Sequence, residues 1–202
     1  MPTARPKLFT LGLACCAFLS ATEPMVPSLH LSLAKAQGDF REEMGTKTGL
    51  GAALSLTIPL TSTLAFRPIL AFQSFPTLNN QYAYKSTRYS DRGEEDTRWS
   101  AWSYGADCLY RPGGPQGHLY FLAGAYLKVW KLHGFGTYTT QDSLNATRTY
   151  SVDDTSSKNE PSLAMGLGYA FNRHLSLEAR SVFASYRSLS YNTLEMAFVL
   201  SY

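Results

Sequence analysis

The sequence predicts an all-β fold, an eight-stranded antiparallel up-and-down transmembrane β-barrel that follows a cleaved signal peptide. One observation is that apolar residues alternate with polar or small residues at period two after residue 21. Another is the apolar leader before that point. A third is the segment 193–202, which alternates as one amphipathic strand and ends on an aromatic residue. Because chain ends usually fray, this ending indicates a strand that hydrogen-bonds back to the first strand of a closed barrel.

The charge is nearly balanced, with 18 Lys and Arg residues against 15 Asp and Glu residues. No basic run is visible in the sequence, so nucleic acid is not an expected partner. The 13 tyrosines suit a membrane interface, because the ring is apolar and the hydroxyl is polar. The short glycine patterns open no helix, so they predict no phosphate site and no cofactor.

The first 21 residues have the pattern of a signal peptide. Arg5 and Lys7 form a positive segment, and the apolar run 8–21 is shorter than the ~20 residues that a membrane-spanning helix needs. We predict cleavage after residue 21, which leaves 22–202 as the barrel domain. The triplet 34–36 is a better cleavage motif, but cleavage there would remove the first strand and leave an odd number.

The strand segments and their connections follow a regular plan. Eight segments alternate at period two: 28–36, 50–60, 63–75, 99–110, 119–130, 162–171, 175–186 and 193–202. The connections 61–62, 111–117 and 172–174 are short and turn-like, whereas 37–48, 76–98 and 134–161 are long and polar. Short turns at one end and long loops at the other are typical of outer-membrane barrels. This plan places both ends of the barrel domain on the periplasmic side.

The two faces of these segments differ in size and charge. One face carries large apolar residues, and the other carries small or charged residues. Since an eight-stranded barrel has room inside only for side chains, we assign the large apolar rows to lipid and the small or charged rows to the lumen. In the alternative, a soluble sheet, the charged rows would face water.

The inward rows predict a charge network in the barrel interior. Its members are three cations and three anions: Arg67, Asp107, Lys128, Glu178, Arg180 and Glu195. Because isolated buried charges are strongly unfavourable, a balanced set favours pairing. This predicts an interior plugged by side chains, and therefore a barrel that is not a general pore. Pro68 cannot donate to a ladder, so we expect a bulge or a missing pairing in its strand.

The closing strand carries the most specific motif, LEMAFVLSY. Its outward residues form a candidate assembly signal: Leu194, Met196, Phe198, Leu200 and Tyr202. The motif is similar to the C-terminal signal that the barrel-assembly machinery reads in outer-membrane barrel proteins. Tyr202 stands where those proteins usually have Phe. Residues 166–186 look like the penultimate hairpin that is common in small outer-membrane barrels. On these motifs, residues 22–202 resemble the small outer-membrane barrel superfamily that includes OmpA, OmpX and OmpW.

The resemblance implies a location and a set of partners. The chain would be an integral protein of the bacterial outer membrane, exported through its signal peptide. Its partners would be outer-membrane lipids and lipopolysaccharide, together with the barrel-assembly machinery and periplasmic chaperones.

One segment is a candidate for catalysis. Lipid A deacylases of the outer membrane carry a His-x-Ser pair on a strand, and His174 and Ser176 have that spacing. Glu178 and Glu195 are the carboxylates available to orient the imidazole. However, His174 falls on a periplasmic turn, Ser176 faces the lumen, and Leu177 stands where the deacylases have Asn. We therefore predict no enzymatic activity. The histidines are scattered, so no metal site is expected.

The predicted function is a structural or surface-interaction role, in which the long loops contact an extracellular protein or polysaccharide. Two alternatives remain open. The barrel could move small apolar molecules through a lateral opening, since Pro68 and the glycines Gly51, Gly105 and Gly124 could weaken strand pairing or leave a niche. The other alternative is a lipid-modifying enzyme.

Overall fold

The computed structural model describes residues 24–44, 47–85, 89–114, 117–142, 146–186 and 189–202. The predicted signal peptide and its cleavage site lie outside these residues. The described elements in chain order are β1 Val26–Gln37, α1 Asp39–Met44, β2 Thr48–Pro59, β3 Leu64–Ser74, β4 Leu78–Lys85, β5 Tyr89–Tyr110, β6 Leu119–Asp142, β7 Thr147–Ala170, β8 Leu175–Tyr186, β9 Leu189–Ser190 and β10 Asn192–Ser201.

Eight of the strands close into an antiparallel ring in the order β1, β2, β3, β5, β6, β7, β8 and β10. The ring closes where β10 pairs with β8 on one side and with β1 on the other, so that Leu31 lies opposite Phe198. Each strand of the ring therefore has two paired neighbours, as a structure that crosses hydrocarbon requires. The predicted barrel fold is confirmed.

The outer surface of the ring is apolar, as predicted. Large side chains that are about half exposed form an apolar belt around it: Leu31, Leu33, Leu50, Leu54, Leu64, Leu70, Trp102, Tyr104, Tyr110, Leu119, Phe121, Leu163, Met165, Leu167, Tyr169, Phe171, Phe183, Leu194, Met196 and Phe198. The residues between them along each strand point into the lumen. A soluble sheet would bury these large side chains at its centre, so this orientation excludes that alternative.

Two of the predicted long loops are strands instead. The described residues of the segments 76–98 and 134–161 form β4 and the outer halves of β5, β6 and β7, which continue past the ring as one protruding sheet. Thr and Tyr favour extended backbone, and facing side chains add to the pairing. The rings of Tyr138 and Tyr150, for example, stack across β6 and β7 at 4.8 Å.

The third long connection contains α1, a six-residue helix that the alternation does not predict. Gly38 precedes it with a φ of 60°, a left-handed conformation that turns the chain from β1 back over the barrel mouth. Within the described residues, no helix has the length and apolar character needed to cross a membrane.

Pro68 interrupts one ladder, as predicted. Between β2 and β3 the pairing stops at Ser55 opposite Ile69 and resumes at Ile58 opposite Phe66. The gap includes the position of Pro68, which has no N–H to donate. On its other side, β3 pairs with β5 without a break.

Candidate functional site

The lumen contains three successive layers of side chains. At the short-turn end it opens as a vestibule, a cavity of about 580 Å³. Arg111 and Arg173 lie in its wall near the turns, and Arg67, Tyr120 and Ser176 line its deeper part. The vestibule leads from the end where we expect the periplasm to the first layer of charged side chains.

The first layer is the Arg67 cluster. Arg67 Nη1 donates to Glu178 Oε1 at 2.5 Å, and Arg67 Nη2 donates to Asp107 Oδ2 at 2.7 Å. Tyr120 donates its hydroxyl to Glu178 at 2.7 Å, and Tyr126 donates its hydroxyl to Asp107. Arg67 and both carboxylates are at most 2% exposed. The charges are thus buried, paired and further hydrogen-bonded, which a buried ionic group requires to be tolerated.

The second layer is the Glu195 cluster, which lies further from the vestibule. Arg180 Nε donates to Glu195 Oε2 at 2.8 Å, and Lys128 Nζ lies 3.8 Å from Glu195 Oε1. Gln73 Nε2 and the Thr193 hydroxyl donate to the same carboxylate at 2.6 and 3.0 Å. Five side chains from four strands thus meet at one point of the lumen.

One tyrosine joins the two clusters. The Tyr126 hydroxyl accepts from Arg180 Nη1 at 3.4 Å while it donates to Asp107. All six charged residues singled out in the sequence therefore lie in one connected arrangement. The strand alternation also places Gln73 and Tyr126 on the inward face, but the predicted network did not include them. Tyr120 was not considered, although the same alternation places it inward.

A third layer closes the outer end with aromatic rings. Phe75, Trp99, Trp130 and Tyr191 form an aromatic cage, and Phe40 of α1 fills it. The expectation that inward residues are only small or charged is therefore wrong at this end. Large rings fill the space at this end that small side chains would leave empty.

The closing strand has the predicted faces. Leu194, Met196 and Phe198 are exposed in the apolar belt. The Tyr202 side chain is 76% exposed, and the Tyr202 N–H donates to the Pro27 carbonyl at 3.0 Å, beside the start of β1. These positions fit a segment that forms the last seam of the barrel. Its role as an assembly signal stays a prediction.

In the His-x-Ser pair, His174 directly precedes β8 and Ser176 lies on it. His174 Nδ1 lies 3.0 Å from the Ser201 carbonyl, and Ser176 Oγ lies within hydrogen-bond distance of the Tyr120 hydroxyl, at 3.1 Å. The two side chains thus engage different partners. Among the described residues, no three His, Cys, Asp or Glu side chains come together in a group that could hold a metal ion.

Comparison with solved structures finds other proteins with this barrel fold. The attachment invasion locus protein Ail of Yersinia pestis, in complex with the heparin analogue sucrose octasulfate, matches with a TM-score of 0.50 at 11% identity, over 88% of this chain and 97% of that one. The N-terminal barrel domain of Pseudomonas aeruginosa OprF matches with a TM-score of 0.49 at 11% identity, over the same shares of the two chains. Neisserial surface protein A matches with a TM-score of 0.45 at 14% identity, again over 88% and 97%.

At these identities the likeness concerns the fold alone. It confirms the fold-level resemblance to small outer-membrane β-barrels that the closing strand and the penultimate hairpin indicated. No protein-family model matches the sequence, and no curated protein matches it.

Proposed function

We propose that the protein is an integral outer-membrane barrel with a closed lumen, which presents its protruding sheet to the outside of the cell. The observation that carries the proposal is the filling of the lumen by two ionic clusters and an aromatic layer in succession. The apolar belt supports the location, because about half of each of these large side chains is accessible and only hydrocarbon would cover them.

The small cavity left beside the second layer supports a closed lumen. The cavity beside Lys128, Arg180 and Glu195 measures about 10 Å³. A void of roughly 10–15 Å³ holds about one water molecule, so a hydrated ion or a metabolite does not fit. The vestibule therefore ends blindly, and the barrel is not a general pore.

Conductance tests this proposal. In a planar bilayer the purified barrel should show no large, stable open-channel current, because the paired charges and the rings hold their positions. A variant that truncates only the second layer, Lys128→Ala with Arg180→Ala and Glu195→Ala, should also show no such current, because the Arg67 cluster and the aromatic layer remain in place. A steady current through the unaltered protein would contradict the closed lumen.

The proposed surface role belongs to the protruding sheet. Its two edges are β4 and the outer part of β7, where residues 147–159 pair with β6 alone. An unpaired edge offers backbone N–H and C=O groups to an added strand. An extended segment of an extracellular protein is therefore the partner that fits. A polyanionic polysaccharide fits less well, because Glu94, Glu95 and Asp96 crowd one strand of the sheet.

Lipopolysaccharide is the lipid partner that the outer rim fits. Lys35, Arg98 and Lys131 are exposed just beyond the apolar belt, and none of them forms a salt bridge with the described residues. Lys131 lies two residues past Val129, which pairs with Trp102 of the belt. Unpaired cations at this level are placed to meet lipid phosphates.

Three further parts of the proposal concern processing, assembly and activity. We propose that residues 1–21 are removed as a signal peptide, that periplasmic chaperones deliver the remaining chain, and that the barrel-assembly machinery reads β10. We also propose that the barrel is not an enzyme, since His174 and Ser176 engage different partners.

A second candidate function rests on the gap at Pro68. The gap lies beside the vestibule, which Thr57 and Arg67 line, so it is a possible lateral opening for small apolar molecules. Pro68→Val restores a backbone donor and should close the gap. If the barrel transports such molecules there, uptake of a radiolabelled alkane by expressing cells should fall with Pro68→Val. Equal uptake in cells with and without the protein would eliminate this candidate.

A further inference from the structure

The residue that fills the aromatic cage, Phe40, does not lie on a strand of the barrel. Phe40 is completely buried, with its ring centroid 4.9 Å from that of Trp130 and 5.2 Å from that of Phe75. Trp99 and Trp130 lie on β5 and β6, and Phe75 and Tyr191 lie at strand ends, whereas Phe40 belongs to the connection between β1 and β2. The residues of the cage are thus held by the strands of the barrel, whereas Phe40, which fills the cage, belongs to the short helix α1.

We propose that the aromatic cage is a binding site for a small aromatic molecule that carries a hydrogen-bond acceptor. Phe40 is the chain's own occupant, and a ligand that arrives from the extracellular side displaces it. The site lies at the outer mouth above both ionic clusters, so ligand binding requires no pore.

The shape of the cage fits one aromatic ring. Small buried residues stand beside the aromatic ones and leave room for the phenyl group: Ala34, Ala36, Ala101 and Ala184. When Phe40 leaves, the space is an enclosed apolar cavity of about one phenyl ring. Cavities of this kind stay dry and bind small aromatic molecules. The rings around Phe40 meet it at steep angles, 82° for Phe75 and 72° for Trp99, the edge-to-face geometry that aromatic pairs prefer.

The polar groups of the cage specify an acceptor on the ligand. Trp130 is 1% exposed, and its Nε1 has no hydrogen-bond partner among the described residues. A buried donor without an acceptor is rare and unfavourable, and Phe40 cannot accept its proton. Lys128 Nζ lies 4.8 Å from the Trp130 ring centroid, and Lys158 Nζ lies 5.0 Å from that of Tyr191.

A latch at the rim holds Phe40 in place. Asp39 Oδ2 accepts from the Ser190 backbone N–H at 2.6 Å and from the Ser190 hydroxyl at 3.1 Å. The Asp39 N–H donates to the same hydroxyl at 3.2 Å. Gly38 supplies the bend between β1 and the helix. Opening therefore breaks hydrogen bonds at the rim and leaves the strand ladders intact.

A variant that breaks the hydrogen bonds between Asp39 and Ser190 distinguishes a ligand site from a purely structural role of Phe40. The chain is folded in phospholipid nanodiscs and titrated with para-fluoroacetophenone, with binding followed by fluorine NMR. Asp39→Ala should bind about tenfold more tightly than the unaltered protein, because a larger fraction of molecules has an open cage. Glu42→Ala is the matched control, since it removes an exposed carboxylate from the same helix, and it should bind like the unaltered protein.

A second comparison tests whether the ligand accepts a hydrogen bond from Trp130 Nε1. Phe40→Ala should bind the probe most tightly, since nothing has to be displaced. Adding Trp130→Phe should weaken binding of para-fluoroacetophenone by about tenfold, the effect of one lost buried hydrogen bond. Binding of para-fluorotoluene, which has no acceptor, should not change.

Several outcomes would overturn the proposal. They are no binding by folded Phe40→Ala, equal affinities for Asp39→Ala and the unaltered protein, and no effect of Trp130→Phe on the ketone. If Phe40→Ala does not fold, the comparison of Asp39→Ala with Glu42→Ala decides alone.

Discussion

Arg67 is the residue that holds the vestibule end of the lumen together. Its guanidinium contacts two buried carboxylates, Asp107 and Glu178, through four hydrogen bonds. A lysine in its place would offer a point charge and could not serve both carboxylates in this planar arrangement. Loss of the guanidinium leaves two buried anions without a counter-charge.

Arg67→Met should therefore destabilise the barrel by about 3–5 kcal/mol, the range for breaking a buried ion pair by removing one partner. The measurement is urea-induced unfolding in detergent micelles. Arg98→Met, which removes an exposed arginine, serves as the control and should change the free energy of unfolding by less than ~0.5 kcal/mol. Equal effects of the two substitutions would show that the Arg67 cluster does not stabilise the fold.

The charged residues of the lumen could be predicted from the sequence because strand alternation assigns each of them a face. Asp107, Glu178 and Glu195 all fall on inward positions once the strands are recognised. The pairing of each cation with a particular anion could not be predicted, because it depends on the stagger of strands that are distant in sequence. Phe40 could not be assigned either, since it lies in a connection that shows no alternation.

Among the elements, the long hairpins depart most from the sequence-based expectation. The outer parts of β6 and β7 are mostly polar, with only scattered apolar residues, so they show no sustained apolar alternation and were predicted as loops. Their pairing continues in register from residue 119 to residue 141 of β6. The strands of the ring could be predicted because lipid on one side and a tight lumen on the other impose two different faces. Beyond the membrane that constraint disappears.

The protruding sheet should be dispensable for folding of the barrel. Replacement of residues 137–151 by an Asn-Gly turn removes only pairs within the sheet, and Asn-Gly is suited to a two-residue hairpin. We expect the shortened protein to keep its heat-dependent gel migration, with the free energy of unfolding within ~1 kcal/mol of the original.

A matched control replaces residues 82–93, the tip of the other hairpin, β4–β5, by the same two-residue turn. Both shortened proteins should fold, because neither deletion touches the ionic clusters or the aromatic cage. Failure of either one to migrate as a folded barrel would mean that the sheet takes part in building the ring.

At the scale of the whole molecule, the fold depends on which face of each strand points outward. Bulky apolar side chains face outward, which leaves the lumen to paired charges and to one aromatic layer. Closure of β10 on β1 removes every edge from the ring, so that backbone groups need no water. The free edges of the fold lie in the protruding sheet, where water is present and a partner could bind.

Tryptophan quenching by brominated lipids tests this orientation most directly. Trp102 is 46% exposed in the apolar belt, whereas Trp130 is 1% exposed in the lumen. Two single-tryptophan variants, made by Trp→Phe substitution at the other two positions, are reconstituted in bilayers of brominated phospholipid. The account predicts strong quenching of Trp102 and little quenching of Trp130. Strong quenching of Trp130 with little quenching of Trp102 would contradict it.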